Sequence, residues 1–152
     1  MGEVVSRESE VYVAFMPPDV LAEQWPSIER ELDNVKHIWS DQWTKEMLFA
    51  ALDAQAMQLW VAGKEDSYSL VVFTQLAPKP VGLVLEVVLA FGNNFFSALP
   101  MLEATLERFA QMQDCVRIDV MGREGFERVL KAYGFRKSCV VVSRDVRKRE
   151  LH

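Results

Sequence analysis

A chain of 152 residues, 50 % hydrophobic and 26 % charged, is long enough to bury a core without disulfides or metals. Its net charge of −5 excludes general nucleic-acid affinity, which needs a cationic face. The most apolar run, Val81 to Phe91, is too short to span a bilayer and is broken by Glu86, so no membrane segment is expected.

Residues 1–10 are polar and acidic and read as a flexible N-terminus without a signal peptide, which places the protein in the cytoplasm at synthesis. Residues 11–146 read as a single domain, and residues 147–152 as a basic tail. Val11 to Phe15 is the first strand. Pro17-Pro18-Asp19 ends it and offers Asp19 as a helix N-cap, with Pro26 opening a second helical segment that carries Ile28 and Leu32 on one face. Trp39 and Trp43 fall in a connecting stretch. They serve either as packing or as an aromatic interface to a protein partner or a second copy of the chain. Thr44 caps the next helix, which has Met47, Leu48, Ala51 and Leu52 along one side.

From Gln58 the period changes. Gln58 to Gly63 and Tyr68 to Leu76 read as a hairpin around Glu65-Asp66-Ser67, and Pro78-Lys79-Pro80 as a break. Val81 to Phe91 reads as a central strand buried on both faces. Gly92-Asn93-Asn94 forms a turn, and a helix follows to Met112 with Leu99, Leu102, Leu106 and Phe109 at spacings of three and four. Cys115 to Met121 is a strand, Arg123 to Ala132 a short helix stopped at Gly134, and Arg136 to Val146 the last strand. Both cysteines, Cys115 and Cys139, then lie in strands as small buried hydrophobes. His37 and His152 are far apart, and no Cys/His cluster has the spacing of a zinc site.

This order, with Gly134-Phe135 leading from the last helix into the closing strand, resembles the GNAT acyltransferases. The most specific stretch is Gly122-Arg123-Glu124-Gly125-Phe126 through Tyr133-Gly134-Phe135. The resemblance implies an α/β fold: a mixed, partly parallel sheet of six or seven strands with helices on both faces. It also implies a pyrophosphate loop of the form Arg/Gln-x-x-Gly-x-Gly/Ala between the fourth strand and the long helix. Here that segment reads Phe91-Gly92-Asn93-Asn94-Phe95-Phe96, which puts Asn94 and Phe96 at the two glycine positions. No Lys or Arg lies between Val81 and Pro100.

The tyrosine that many family members use as general acid, four residues before the glycine of Gly-Phe, is replaced by Leu130. Glu86 is the sole candidate base; the alternative for it is a structural pair with a basic residue or a place at a sheet opening. The texture of Met57-Gln58-Leu59-Trp60-Val61 together with Gly122 to Phe126 is similar to small GNAT-like proteins of tailed bacteriophages. The expectation is therefore a GNAT-like domain with a degenerate acyl-CoA site (Gly92, Asn93, Asn94, Phe95, Phe96), expected to hold no cofactor. Its role would be a non-catalytic binding or structural part with a protein partner, associated with a virion. The alternatives are an acetyl-CoA-dependent N-acetyltransferase with Glu86 as base, and an amino-acid- or peptide-binding module using the same cleft.

Overall fold

Residues 12–64, 67–93, 95–122 and 125–146 are described in the computed structural model of the chain, which falls into a first unit ending at Gly122 and a second beginning at Arg123. The expected N-terminus, the basic tail, the turn residues Glu65 and Asp66, Asn94, and Arg123-Glu124 lie outside the described residues.

In the first unit, strand β1 (Val13–Met16) is followed by helices α1 (Pro18–Asp33), α2 (Lys36–Trp39) and α3 (Lys45–Asp53). Strands β2 (Gln58–Lys64), β3 (Ser67–Lys79) and β4 (Gly82–Phe91) come next, then helix α4 (Phe95–Met112) and strand β5 (Arg117–Val120). Among the described residues the sheet has five strands in the order β1-β2-β3-β4-β5, all antiparallel except the parallel pair β4–β5. The count of five, rather than six or seven, has a local origin. Residues 135–146 form neither helix nor strand, and Val140, Val141, Val142 and Val146 are exposed. Strand propensity in a valine run is realised only when a neighbouring strand completes its hydrogen bonds. Cys139, in the same segment, is exposed rather than buried, and Cys115 is half-buried just before β5. Burial, and then the charge of Asp114, raise the Cys115 thiol above its ordinary pKa, which makes it a poor nucleophile.

Helix α1 is continuous through Pro26, where two segments were expected. Leu21, Trp25, Ile28 and Leu32 keep spacings of four, three and four and are all buried. That apolar stripe outweighs the single backbone bond that Pro26 removes. Asp19 sits in the first turn, and Pro17 takes the N-cap position. Trp39 belongs to the core: it is buried and its indole N–H donates to the Leu32 carbonyl at 2.8 Å. Trp43 is half-buried against the same core. Packing therefore claims both tryptophans.

Thr44 caps α3 as expected, its hydroxyl accepting from the Met47 amide at 3.0 Å. Thr44→Ala should lower stability by about 1 kcal/mol, read as a shifted urea midpoint at unchanged slope.

Helices α1 and α3 cover one sheet face, where Leu59, Phe73, Leu89 and Phe91 pack with Leu21, Ile28, Leu48 and Leu52. Helix α4 covers the other, with Phe109 edge-on to Trp60 at 5.1 Å. Helices on both faces match the expected layering, and β4 is buried inside the sheet between β3 and β5. Pro78 lies within β3 instead of breaking it, pairing with Leu83 of β4. Strand β2 pairs with β3 only as far as Gln58 and Thr74, so Pro78 stands on an edge, where a strand tolerates proline.

The second unit holds helix α5 (Phe126–Leu130) and a 3₁₀ turn (Lys131–Tyr133). It closes on Gly134, whose φ of 87° is the left-handed conformation glycine reaches without a Cβ penalty.

Candidate active site

The pairing register opens a cleft in the sheet. Strands β4 and β5 run together only from Val84–Arg117 to Val87–Val120, and the last bond joins the Met121 amide to the Val87 carbonyl at 2.9 Å. One residue later β4 bulges. Thr74 pairs with Val87 and Phe73 with Leu89, so Val88 is the extra residue. From Val88 to Phe91, β4 keeps β3 on one side and, among the described residues, has no strand on the other. That edge presents backbone donors and acceptors to any extended ligand lying where a further strand would lie.

Glu86 stands at the foot of this opening, two residues before the bulge. It is 5 % exposed and pairs in register with Gln75 of β3 and Asp119 of β5. Gln75 Nε2 donates to one carboxylate oxygen at 2.8 Å, and Lys79 Nζ lies 3.2 Å from the other. Gln75 shares its face with Phe73, so the carboxylate looks toward the α1/α3 side.

On β5, Arg117 forks Asp119 through Nε at 2.8 Å and its terminal nitrogen at 3.3 Å. That bond and the charge of Asp119, with a smaller contribution from Glu86, hold the Arg117 guanidinium above its ordinary pKa. The result is a row of Lys79, Glu86, Asp119 and Arg117 across three strands, two carboxylates side by side with a cation at each end. Glu86 thus has a basic partner and lies at a sheet opening, the two placements that its structural reading offered.

Sequence reasoning found Glu86 because one charge interrupts an apolar run. It missed Gln75, Lys79, Arg117 and Asp119. Lys79 was hidden between two prolines, while the alternation of Arg117 and Asp119 about Ile118 was a signal that one face of β5 is charged.

The loop above the cleft is partly described. Gly92 has φ 144°, and a Cβ there would overlap the Ser69 carbonyl and the Leu70 Cα of β3. Close passage against β3 requires a glycine here. Asn93 is exposed. At the start of α4, Phe95 is buried, while Phe96 is 66 % exposed and meets Phe95 edge-on at 5.5 Å.

The first-turn amides of an 18-residue helix lack intrahelical acceptors and carry its positive dipole end, so they suit an anion. The Phe96 ring stands in solvent at this end of the helix, and no Lys or Arg between Val81 and Pro100 adds charge there. In the second unit, Leu130 is buried, and it has no proton to give where the resemblance calls for an acid.

No known family profile matches the chain, and no curated protein matches it in sequence. Solved structures do. A predicted acetyltransferase from Clostridium acetobutylicum, solved with acetyl-CoA, aligns at TM-score 0.61 and 12 % identity, over 90 % of this chain and 96 % of that one. An aminoglycoside acetyltransferase from an uncultured soil metagenomic sample aligns at 0.65 and 9 %, over 90 % and 97 %. A ribosomal-protein-alanine N-acetyltransferase from Brucella melitensis biovar Abortus 2308 aligns at 0.58 and 14 %, over 91 % and 100 %. The fold is that of the GNAT acetyltransferases. Among the described residues no helix is long and apolar enough to cross a membrane.

Proposed function

We propose that the chain is an acyl-CoA-dependent N-acyltransferase in which Glu86 is the general base. The observation that carries this reading is the placement of Glu86, a buried carboxylate at the foot of the opening between β4 and β5. An acyl-CoA supplies a thioester whose acyl carbon the amine nitrogen attacks, with CoA leaving as the thiol. The free backbone of Val88–Phe91 aligns the extended donor, and the amides at the start of α4 hold its pyrophosphate. Each oxygen of Glu86 already accepts from one donor. A carboxylate oxygen has room for a second, so the carboxylate keeps a position for the amine proton while Gln75 and Lys79 fix its orientation. Water, rather than residue 130, protonates the departing sulfur.

A second reading keeps the scaffold and drops the chemistry. It rests on Phe96 at the loop and on the lack of Lys or Arg between Val81 and Pro100. The three structural relatives named above are enzymes, not virion components, and this favours the catalytic reading over a phage structural part.

Calorimetric titration with acetyl-CoA separates the two readings. Binding with Kd at or below about 1 mM, near −4 kcal/mol, is expected, tightening about tenfold in Phe96→Gly as the rim over the amides is cleared. No heat of binding up to about 5 mM, in either protein, would return the chain to the non-catalytic reading.

A further inference from the structure

At the opposite end of the sheet a second opening lies beneath the first residues of β2, a crevice of about 200 Å³. Leu76 and Phe109 form part of its wall and Leu21, Leu52 and Leu59 another part, with Gln55, Gln58 and Gln113 as its amides. None of its lining residues carries a charge. Gln58 pairs with Thr74, whereas Gly92 abuts Ser69 and Leu70, so the crevice is about 15 Å down β3 from the α4 loop at one strand rise per residue. Gln58 and Thr74 look toward α4, on the face opposite Glu86.

The orientation of one of these amides is set by a hydrogen-bond relay. The Trp60 indole nitrogen can only donate, and it does so to Thr74 Oγ1 at 2.9 Å. The threonine hydroxyl accepts there and donates its own proton to Gln58 Oε1 at 2.9 Å. Trp60 is itself clamped edge-on by Phe15 at 5.3 Å and Phe109 at 5.1 Å, so the relay starts from a fixed point. With its carbonyl committed, Gln58 turns its NH₂ group the other way. Among the described residues no fully buried side-chain nitrogen or oxygen lacks a partner, so these two donors reach open space, and the open space beside Gln58 is the crevice. A crevice with leucine and phenylalanine side chains, three amides and no charge in its lining suits a neutral molecule with an apolar body and a hydrogen-bond acceptor for the pre-oriented donor.

We propose that this crevice binds a small neutral carbonyl compound, its apolar body against Leu76 and Phe109 and its oxygen accepting from Gln58 Nε2. A cavity of about 150 Å³ holds benzene, so the occupant is a ring-sized molecule of roughly six to nine non-hydrogen atoms. The site is independent of the proposed acyl transfer.

The test compares acetophenone with α-methylstyrene, the same shape with a methylene in place of the carbonyl oxygen, in ¹H–¹⁵N spectra of the full chain. The Gln58 side-chain amide is assigned by its loss in Gln58→Leu. Acetophenone is expected to shift that amide saturably and to bind about tenfold tighter than the alkene, the worth of one hydrogen bond. Gln58→Leu should equalise the two. Thr74→Val, which leaves the chamber walls intact but frees the amide to rotate, should erase most of the preference and covers the case in which Gln58→Leu fails to fold. No saturable binding by either compound would overturn the proposal. So would equal binding of the two by the unaltered protein, or acetophenone binding that leaves the Gln58 amide unmoved.

Discussion

Glu86→Gln is expected to lower kcat/KM for acetyl transfer by about 10²–10⁴-fold while leaving the Kd for acetyl-CoA within about twofold. The amide keeps the shape of the carboxylate and an acceptor for Gln75, but it cannot take the proton of the attacking amine. Lys79, whose side chain is 37 % exposed, turns to water when its partner is neutralised, so the fold should survive. The measurement is initial rate against amine concentration at saturating acetyl-CoA, using an amine that the unaltered protein acetylates, with a melting curve alongside. A variant that transfers acetyl groups at the parental rate would remove Glu86 from the chemistry and leave it as a partner of Lys79.

Gly92→Ala should destabilise the protein by about 3–5 kcal/mol, more than any substitution at the solvent face. Two costs combine there. Its φ of 144° strains an L-residue, and the added methyl would overlap the Ser69 carbonyl and Leu70 Cα, backbone atoms that cannot turn aside. The urea midpoint should fall steeply, and acetyl-CoA binding with it, because the start of α4 is positioned through this residue. A midpoint within error of the parent would mean that the end of β4 has slack enough to move off β3.

Local patterning made most of the sheet and the long helices legible. The short apolar runs of β2 and β4 and the near-3.6 period of α3 and α4 come from residues close in sequence, and the structure places those elements within a residue or two of the expected bounds. Pro26 and Pro78 misled in the same way. Each reads as a breaker locally, and each is tolerated because of something remote, the buried stripe of α1 in one case and the early end of β2 in the other. The closing strand failed for a related reason: valines at 140–142 and 146 set a preference, but a strand also needs a neighbour.

The candidate site was half-visible. A lone glutamate in an apolar run announces itself, whereas Gln75, Lys79 and Asp119 meet it only through cross-strand register, and the bulge at Val88 is a matter of one-residue pairing that no periodicity reports. Gly92, expected among cofactor-binding residues, has a steric reason in the neighbouring strand that no local pattern reports.

The short parallel pair between β4 and β5 has a consequence for the order in which the sheet comes apart. Strands β2 to β4 are joined by hairpins, whereas β5 reaches β4 only through the crossover of α4 and holds it over four registered positions. Detaching β5 therefore sacrifices few contacts and leaves the antiparallel meander standing, which makes it a low-lying partial opening well below global unfolding. The proposed donor cleft begins where that seam ends, so substrate entry and the loosening of β5 draw on the same soft edge. A ligand seated against Val88–Phe91 would then act as a latch on the last strand as well as a reactant.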